Sequence, residues 1–480
     1  MSILVVDVGT SGVRAAVVRP DASVAVEHYR EVLPDSPDAG LVEFDAAALA
    51  AVTLDLTLQA LADGGPVDGV GITNQRASAV VWDRASGVPV GPALGWQDLR
   101  TVGDCLVLQA AGLRFAPNQS ATKVAWLLNT YDPERSRDLC FGTPDTWIAW
   151  MLTGGELHVT DLSNAAVTGL VDLEASDWHD DVLAKLRIPR SMMPTIVDST
   201  SVLGPASALP GSPPIAGILG DQQASMLGQG VVEPGPAKIT FGTGGMLDVV
   251  VGQDRPRFDT RGDGGTFPIV TWRRDGQATW GLEAIMLSAG TNIEWLRDDL
   301  GILETSAQSH EVASQCETSD GVVYVPALLG LGTPRWDYGA RGTLLGLTRG
   351  AGRPQIVRAV LEGIAQRGAD LVDAAETDGA PAIAALRIDG GMSRNPTFVQ
   401  ALANATQRPV EVSPVVEATT LGAAFAAGLA LGTWDGLDDI AATWQPTTSV
   451  EPGVPLDRAR WADAIERSVA WFPELSGLDF

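Results

Sequence analysis

The chain opens with Ile3-Leu4-Val5-Val6-Asp7-Val8, an apolar strand that runs straight into the turn Gly9-Thr10-Ser11-Gly12 and on into a second apolar stretch, Arg14 to Val18. A third strand is predicted from Val24 to Tyr29, which makes the opening a β-meander. This restricts the fold sharply. The glycine fingerprints of P-loop and dinucleotide-binding proteins need a helix directly after the turn, and none is predicted here. A related run, Lys238-Ile239-Thr240-Phe241 into Gly242-Thr243-Gly244-Gly245, occurs in the second half and suggests a duplicated domain. With 480 residues the chain exceeds what one hydrophobic core usually serves, so two domains are expected. Pro234-Gly235-Pro236 is the predicted junction, dividing the chain into 1–230 and 231–480.

Between these landmarks the pattern is α/β. Helices are predicted over Ala46 to Ala62, Lys123 to Asn129 and Thr146 to Leu152, with strands at Val67 to Thr73, Val80 to Asp83 and Ile215 to Leu219. In the second half Gln355 to Glu376 has the spacing of a long amphipathic helix, and Leu386 to Asp389 is a strand ending at Gly390-Gly391. Asn395-Pro396 has the form of a helix cap followed by proline at the first helical position.

The formal net charge of −27 opposes attachment to nucleic acid or to an anionic membrane. No uninterrupted apolar run reaches the ~18 residues of a membrane span, and Asp7 with no basic segment before it argues against a signal peptide. Cys105, Cys140 and Cys316 fit no metal or redox spacing and read as reduced, buried thiols. A cytoplasmic protein is the expectation. His28, His158, His179 and His310 are scattered without ligand spacing and read as structural or surface residues.

Four elements carry chemistry. The first turn sets Asp7, Thr10, Ser11 and Arg14 around a hairpin whose successive N–H groups can form an anion-binding concavity. Taken alone it reads equally as an ordinary hairpin with a surface arginine. Gly220-Asp221-Gln222-Gln223 follows a strand and begins a helix; Asp221 is either an N-cap or a base that accepts a substrate proton. Gly242-Thr243-Gly244 and Asp389-Gly390-Gly391 let backbone approach a ligand after a strand, though each alone is more often a plain turn. The four together, two per half, have no comparably simple structural explanation.

These residues, with Gly71-Ile72-Thr73-Asn74-Gln75-Arg76, Gly95-Trp96-Gln97-Asp98, Ser120-Ala121-Thr122-Lys123, Trp295-Leu296-Arg297-Asp298 and Gly330-Leu331-Gly332-Thr333-Pro334, resemble the FGGY carbohydrate kinases from about Ile3 to about Trp434. The resemblance is nearest to that family's glycerol kinase branch. It implies two actin-like, ribonuclease H-like domains around a cleft, ATP and Mg²⁺ as cofactors, and phosphorylation of a primary hydroxyl of a small polyol, glycerol first. It further implies a homodimer or homotetramer. By the same resemblance Thr10, Ser11, Gly12 and Arg14 contact ATP phosphates, Asp7 orders Mg²⁺, Thr243 and Gly290 add nucleotide contacts, and Gly391 and Asn395 lie on the adenosine side. Asp221 is implied as the catalytic base with Gln222 beside it, and Arg76 and Trp96 as residues that hold the polyol.

Three substrate positions depart from the glycerol kinase pattern. Ala77 stands where a glutamate is expected, Asn118 where a tyrosine is expected, and Met246 where an aromatic is expected. Losing a hydrogen-bond partner to a substrate hydroxyl can shift discrimination by orders of magnitude. A longer polyol or a ketose such as erythritol, threitol or a pentulose is therefore an alternative to glycerol. A catalytically silent nucleotide-binding regulator is the alternative from another class, and an actin-like filament protein would have no use for Arg76, Trp96 and Gln222.

Overall fold

The computed structural model describes residues 1–415 and 418–478. Two mixed sheets organise it, and both follow one plan. In the first, β1 (Ile3–Val8), β2 (Gly12–Val18) and β3 (Val24–Glu31) form the expected meander. On the other side of β1, β4 (Gly69–Asn74) pairs in parallel. The sheet is completed by β5 (Thr200–Pro205) and β6 (Pro214–Gly220), giving the order β5-β6-β4-β1-β2-β3. The second sheet is built from β7 (Pro236–Phe241), β8 (Gly245–Gly252), β9 (Phe267–Arg274) and β10 (Gln277–Met286), continued by β11 (Ala385–Asp389), β12 (Val410–Val412) and β13 (Thr448–Val450). Its order is β9-β10-β8-β7-β11-β12-β13: the β7–β8 hairpin is extended antiparallel by β10 rather than by β9, which lies at the edge, and β7 again has a parallel neighbour on its free side.

β1 is buried at every position, so it reads as an unbroken apolar run rather than an alternation. Its two faces serve different cores. Leu4, Val6 and Val8 meet α1 (Ala46–Gly64), whereas Ile3 and Val5 meet a layer contributed by the far end of the chain. α1 starts on Asp45, whose carboxylate accepts from Ala47 and Ala48 N–H at 2.8 and 3.0 Å, and it ends before Gly65 at φ 79°. By length and composition α1 could cross a bilayer, which no uninterrupted apolar run in the sequence suggests. Here it lies along β2 and β3. Thr53 and Thr57 are buried and bond the carbonyls of Leu49 and Thr53.

The helices that bear on the site are α2 (Ser120–Tyr131), α3 (Asp221–Gly228), α4 (Arg353–Thr377), α5 (Pro396–Thr406) and α6 (Ala418–Leu431). α5 bears out the cap read from Asn395-Pro396: the Asn395 side chain accepts from Phe398 N–H at 3.1 Å. α6 belongs to the second half of the sequence, yet it packs on β6, β4 and β1 of the first sheet and against α3. Contact there is close enough to demand small residues. A Cβ on Gly422 would overlap the Ala224 carbonyl, and one on Gly228 would overlap the Ala418 carbonyl.

α3 is thus held at a fixed height above the first sheet by backbone-to-backbone contact. Gly422→Val should lower stability by about 3 kcal/mol or more, because neither backbone can move away without opening the core. Urea unfolding measures this directly, and an unchanged midpoint would mean that the two helices do not approach so closely.

Candidate active site

Every chemically suggestive segment lies just past the carboxyl end of a strand. The Gly9–Gly12 turn follows β1, Gln75 and Arg76 follow β4, Asp221 follows β6, the Gly242–Gly244 turn follows β7, and Gly390 and Gly391 follow β11. β1, β4 and β6 run parallel, as do β7 and β11, so these ends gather on one side of each sheet. Ligands of open α/β sheets bind at such ends.

The first turn is closed by Gly9 N–H donating to Gly12 O at 2.9 Å, and Gln75 Nε2 donates to Gly9 O at 3.3 Å. Asp7 is 7% exposed at the end of β1 and lies 3.4 Å from Arg14 Nη1. Arg14 in turn lies 3.4 Å from Glu27 and stacks over Tyr29. The second turn is braced from β10: Ala289 N–H donates to Thr243 O and Gly290 N–H to Gly242 O, both at 2.8 Å. Gly290 therefore shapes this turn through its backbone.

Arg76 is the centre of the cleft. Its Nη2 donates to Glu283 at 2.6 Å, its Nε lies 3.4 Å from Asp221 Oδ1, and only 13% of the side chain is exposed. These two carboxylates hold the guanidinium pKa above its ordinary value despite burial. Its Nη1 has no partner among the described residues. Ala77, next in sequence, sits at φ 60° inside a three-residue turn closed by Ser78 N–H donating to Arg76 O at 2.9 Å. That conformation costs a non-glycine residue about 1 kcal/mol or more. Ser120 Oγ holds it by donating to Ala77 O at 3.0 Å.

Asp221 is half-buried, with 30% of its side chain exposed to the cleft. The sequence left it open as an N-cap, but the structure puts Gly220 at the cap and Asp221 at the first helical position. β6 runs extended through Gly220, so the helix begins one residue later than the cap reading requires. Among the described residues the carboxylate accepts one hydrogen bond, from Gln222 N–H at 2.8 Å, and besides the Arg76 contact it faces the cleft. Enclosure raises its pKa above the usual carboxylate value, with Arg76 opposing the shift.

Trp96 joins the two regions. Its backbone N–H donates to Ser78 Oγ at 3.0 Å and its indole Nε1 donates to Thr10 Oγ1 at 3.1 Å. Lys123 of α2 is fully buried beneath it, donating to the carbonyls of Trp96, Pro117 and Gln119. Burial pulls its ammonium down to about 7, while the three carbonyls favour the charged form. This clamp fixes the strand end bearing Trp96 and the loop bearing Asn118, whose side chain is exposed.

Met246 lies on β8 opposite Thr240 and Ile285. Two residues further, on the same face, is Asp248, which sequence reading missed. Lys238, Asp248 and Glu283 face one another across β7, β8 and β10, and Lys238 Nζ donates to Asp248 at 3.0 Å. The available signal was a single charge in each of three apolar strands.

Asn395 does not line the neighbouring cavity; besides capping α5 it donates to Ser309 Oγ at 2.9 Å. Gly391 does line it, with Asp389, Ser393, Arg394, Gln400 and Ser413, around about 640 Å³. Gly390, at φ 83°, presses against the Phe241 backbone and ties this corner to the second turn.

Two sheets of related plan, each opening on an antiparallel hairpin with a parallel strand beside it, with turns from both and a carboxylate between them define an actin-like kinase fold. Solved structures agree: the chain superposes on a glycerol kinase of Plasmodium falciparum with ADP at a TM-score of 0.90, with 27% identity over 97% of this chain and 98% of that one. A xyloylose kinase from Brucella ovis follows at 0.86, with 26% identity over the full length of both. The N-terminal domain of the FGGY family of carbohydrate kinases matches residues 2–228 and its C-terminal domain matches 237–431. The chain belongs to that family and is a kinase that phosphorylates an alcohol group. Relatives named glycerol kinase, from Aromatoleum aromaticum and Gloeobacter violaceus, are each 40% identical over 98% of this chain and cover 99% and 97% of their own length.

Proposed function

We propose that the protein transfers the γ-phosphoryl group of ATP to a primary hydroxyl of glycerol. The observation that carries this is the Arg76–Asp221 pair at the ends of β4 and β6, a carboxylate open to a ligand beside a guanidinium held by a second carboxylate. The full-length similarity to proteins named glycerol kinase supports glycerol as the acceptor.

Asp221 accepts the hydroxyl proton as the oxygen attacks phosphorus, and its raised pKa suits a base at neutral pH. Arg76 orients the polyol from beside Asp221, with Gln222 next to it and Trp96 forming a wall. Backbone N–H groups of the Thr10–Gly12 and Thr243 turns, the two hydroxyls at Thr10 and Ser11, and Arg14 hold phosphate oxygens. Gly290 shapes the Thr243 turn, while Gly391 borders the adenosine side and Asn395 supports it only indirectly, by capping α5. Asp7 fits Mg²⁺, which binds through one or two carboxylates plus substrate phosphates, and no cluster of three ligating side chains exists among the described residues. When bound, that ion offsets charge developing on the phosphate oxygens. The enzyme works in the cytoplasm as a homodimer or homotetramer in this reading, with residues 1–230 and 231–480 as its two closing domains.

A second reading has its own support. Ala77 and exposed Asn118 leave the pocket with neither a carboxylate nor an aromatic at these positions, and Met246 is flexible, so a longer polyol or a ketose would find room. Comparing kcat/KM for glycerol, erythritol, threitol, xylulose and dihydroxyacetone decides. Glycerol should rank first; a preference of tenfold or more for any other member would overturn glycerol and make Ala77, Asn118 and Met246 the specificity switch.

A further inference from the structure

Lys238 and Asp248 lie directly beneath the cleft floor, and neither side chain has any exposed surface. A fully buried ion pair is costly to desolvate and adds little stability over apolar residues of the same size. A role other than stability is therefore worth asking for, and the geometry supplies one. Besides its bond to Asp248, Lys238 Nζ donates to Gln222 Oε1 at 2.5 Å. An ammonium has three donors and no acceptor, so the atom it meets on Gln222 must be the carbonyl oxygen.

This settles which way the Gln222 amide is turned. The oxygen is occupied from below, and Nε2 has no acceptor among the described residues. Gln222 is half-buried and adjoins Asp221 at the start of α3. The same strand row also fixes Arg76, through Glu283. One face of β7, β8 and β10 thus orients both residues that flank Asp221.

We propose that Lys238 and Asp248 are positioning residues for substrate recognition: they lock Gln222 so that it offers the substrate N–H donors only. Position 222 then reads a substrate oxygen as an acceptor, either a hydroxyl lone pair or a carbonyl. Groups that can only donate, such as an ammonium, are rejected there. This rests on the reading of Gln222 as a polyol contact.

The test uses the full-length enzyme with ATP, Mg²⁺ and glycerol. Lys238→Met combined with Asp248→Leu removes both charges with little change in volume. Glycerol KM should rise about tenfold or more, while ATP KM and the thermal midpoint stay near wild type. Asp248→Asn alone keeps an acceptor for Lys238 and should leave glycerol KM within about threefold of wild type. Where the paired variant fails to accumulate, Gln222→Glu reports the same contact. It keeps an acceptor for Lys238 but replaces the N–H donors with a carboxylate oxygen, and glycerol KM should again rise about tenfold or more. A glycerol KM within twofold of wild type in the paired variant, or in Gln222→Glu where that variant replaces it, would overturn the proposal while leaving the kinase reading intact. Wild-type enzyme inactive on every polyol would overturn both.

Discussion

Asp221→Asn should lower kcat by about 10³-fold or more while nucleotide affinity stays within about twofold of wild type. Asparagine matches aspartate in shape and can still accept the Gln222 N–H, so helix α3 has no reason to shift. What disappears is the group that, in the proposed mechanism, takes the proton from the attacking hydroxyl. Wild-type activity should also fall on the acid side as Asp221 becomes protonated. Because enclosure raises its pKa, that limb should lie above the ordinary carboxylate range. A variant retaining a tenth of wild-type kcat would rule Asp221 out as the base.

Arg76→Met should be damaging in two separable ways. Glu283, 9% exposed, would lose its strongest partner, and Asp221 would lose its neighbouring cation. Breaking a buried pair from one side costs about 3–5 kcal/mol, because the remaining charge stays buried without compensation. Glycerol KM should rise about 100-fold or more, since the guanidinium proposed to hold the polyol beside Asp221 goes as well. Urea unfolding and steady-state kinetics read the two losses independently. Arg76→Met combined with Glu283→Leu should recover most of the stability and none of the glycerol affinity. If the double variant regained affinity, Arg76 would be a structural residue only.

Much of this was legible in the sequence where local physics decides. The meander at β1–β3 follows from apolar strands and a glycine turn, and the start of α5 follows from Asn395 and Pro396. Topology set the rest. Arg76 and Glu283 are 207 positions apart, and only the register of β8 on β10 brings Asp248 beside Glu283. Nothing in the apolar string of α6 indicates that it returns to the first sheet; that depends on glycines at 228 and 422 matching across the gap. Asp221 shows the limit of cap logic, because an acidic residue suits the first turn as well as the cap and sequence alone does not separate them.

The most direct measurement is phosphorus NMR of full-length enzyme incubated with ATP, Mg²⁺ and glycerol. A phosphomonoester signal should grow in step with ADP, with little inorganic phosphate, and both should vanish with Asp221→Asn. Inorganic phosphate as the main product, or a phosphomonoester formed equally fast by the Asn variant, would contradict transfer to a polyol hydroxyl with Asp221 as the base.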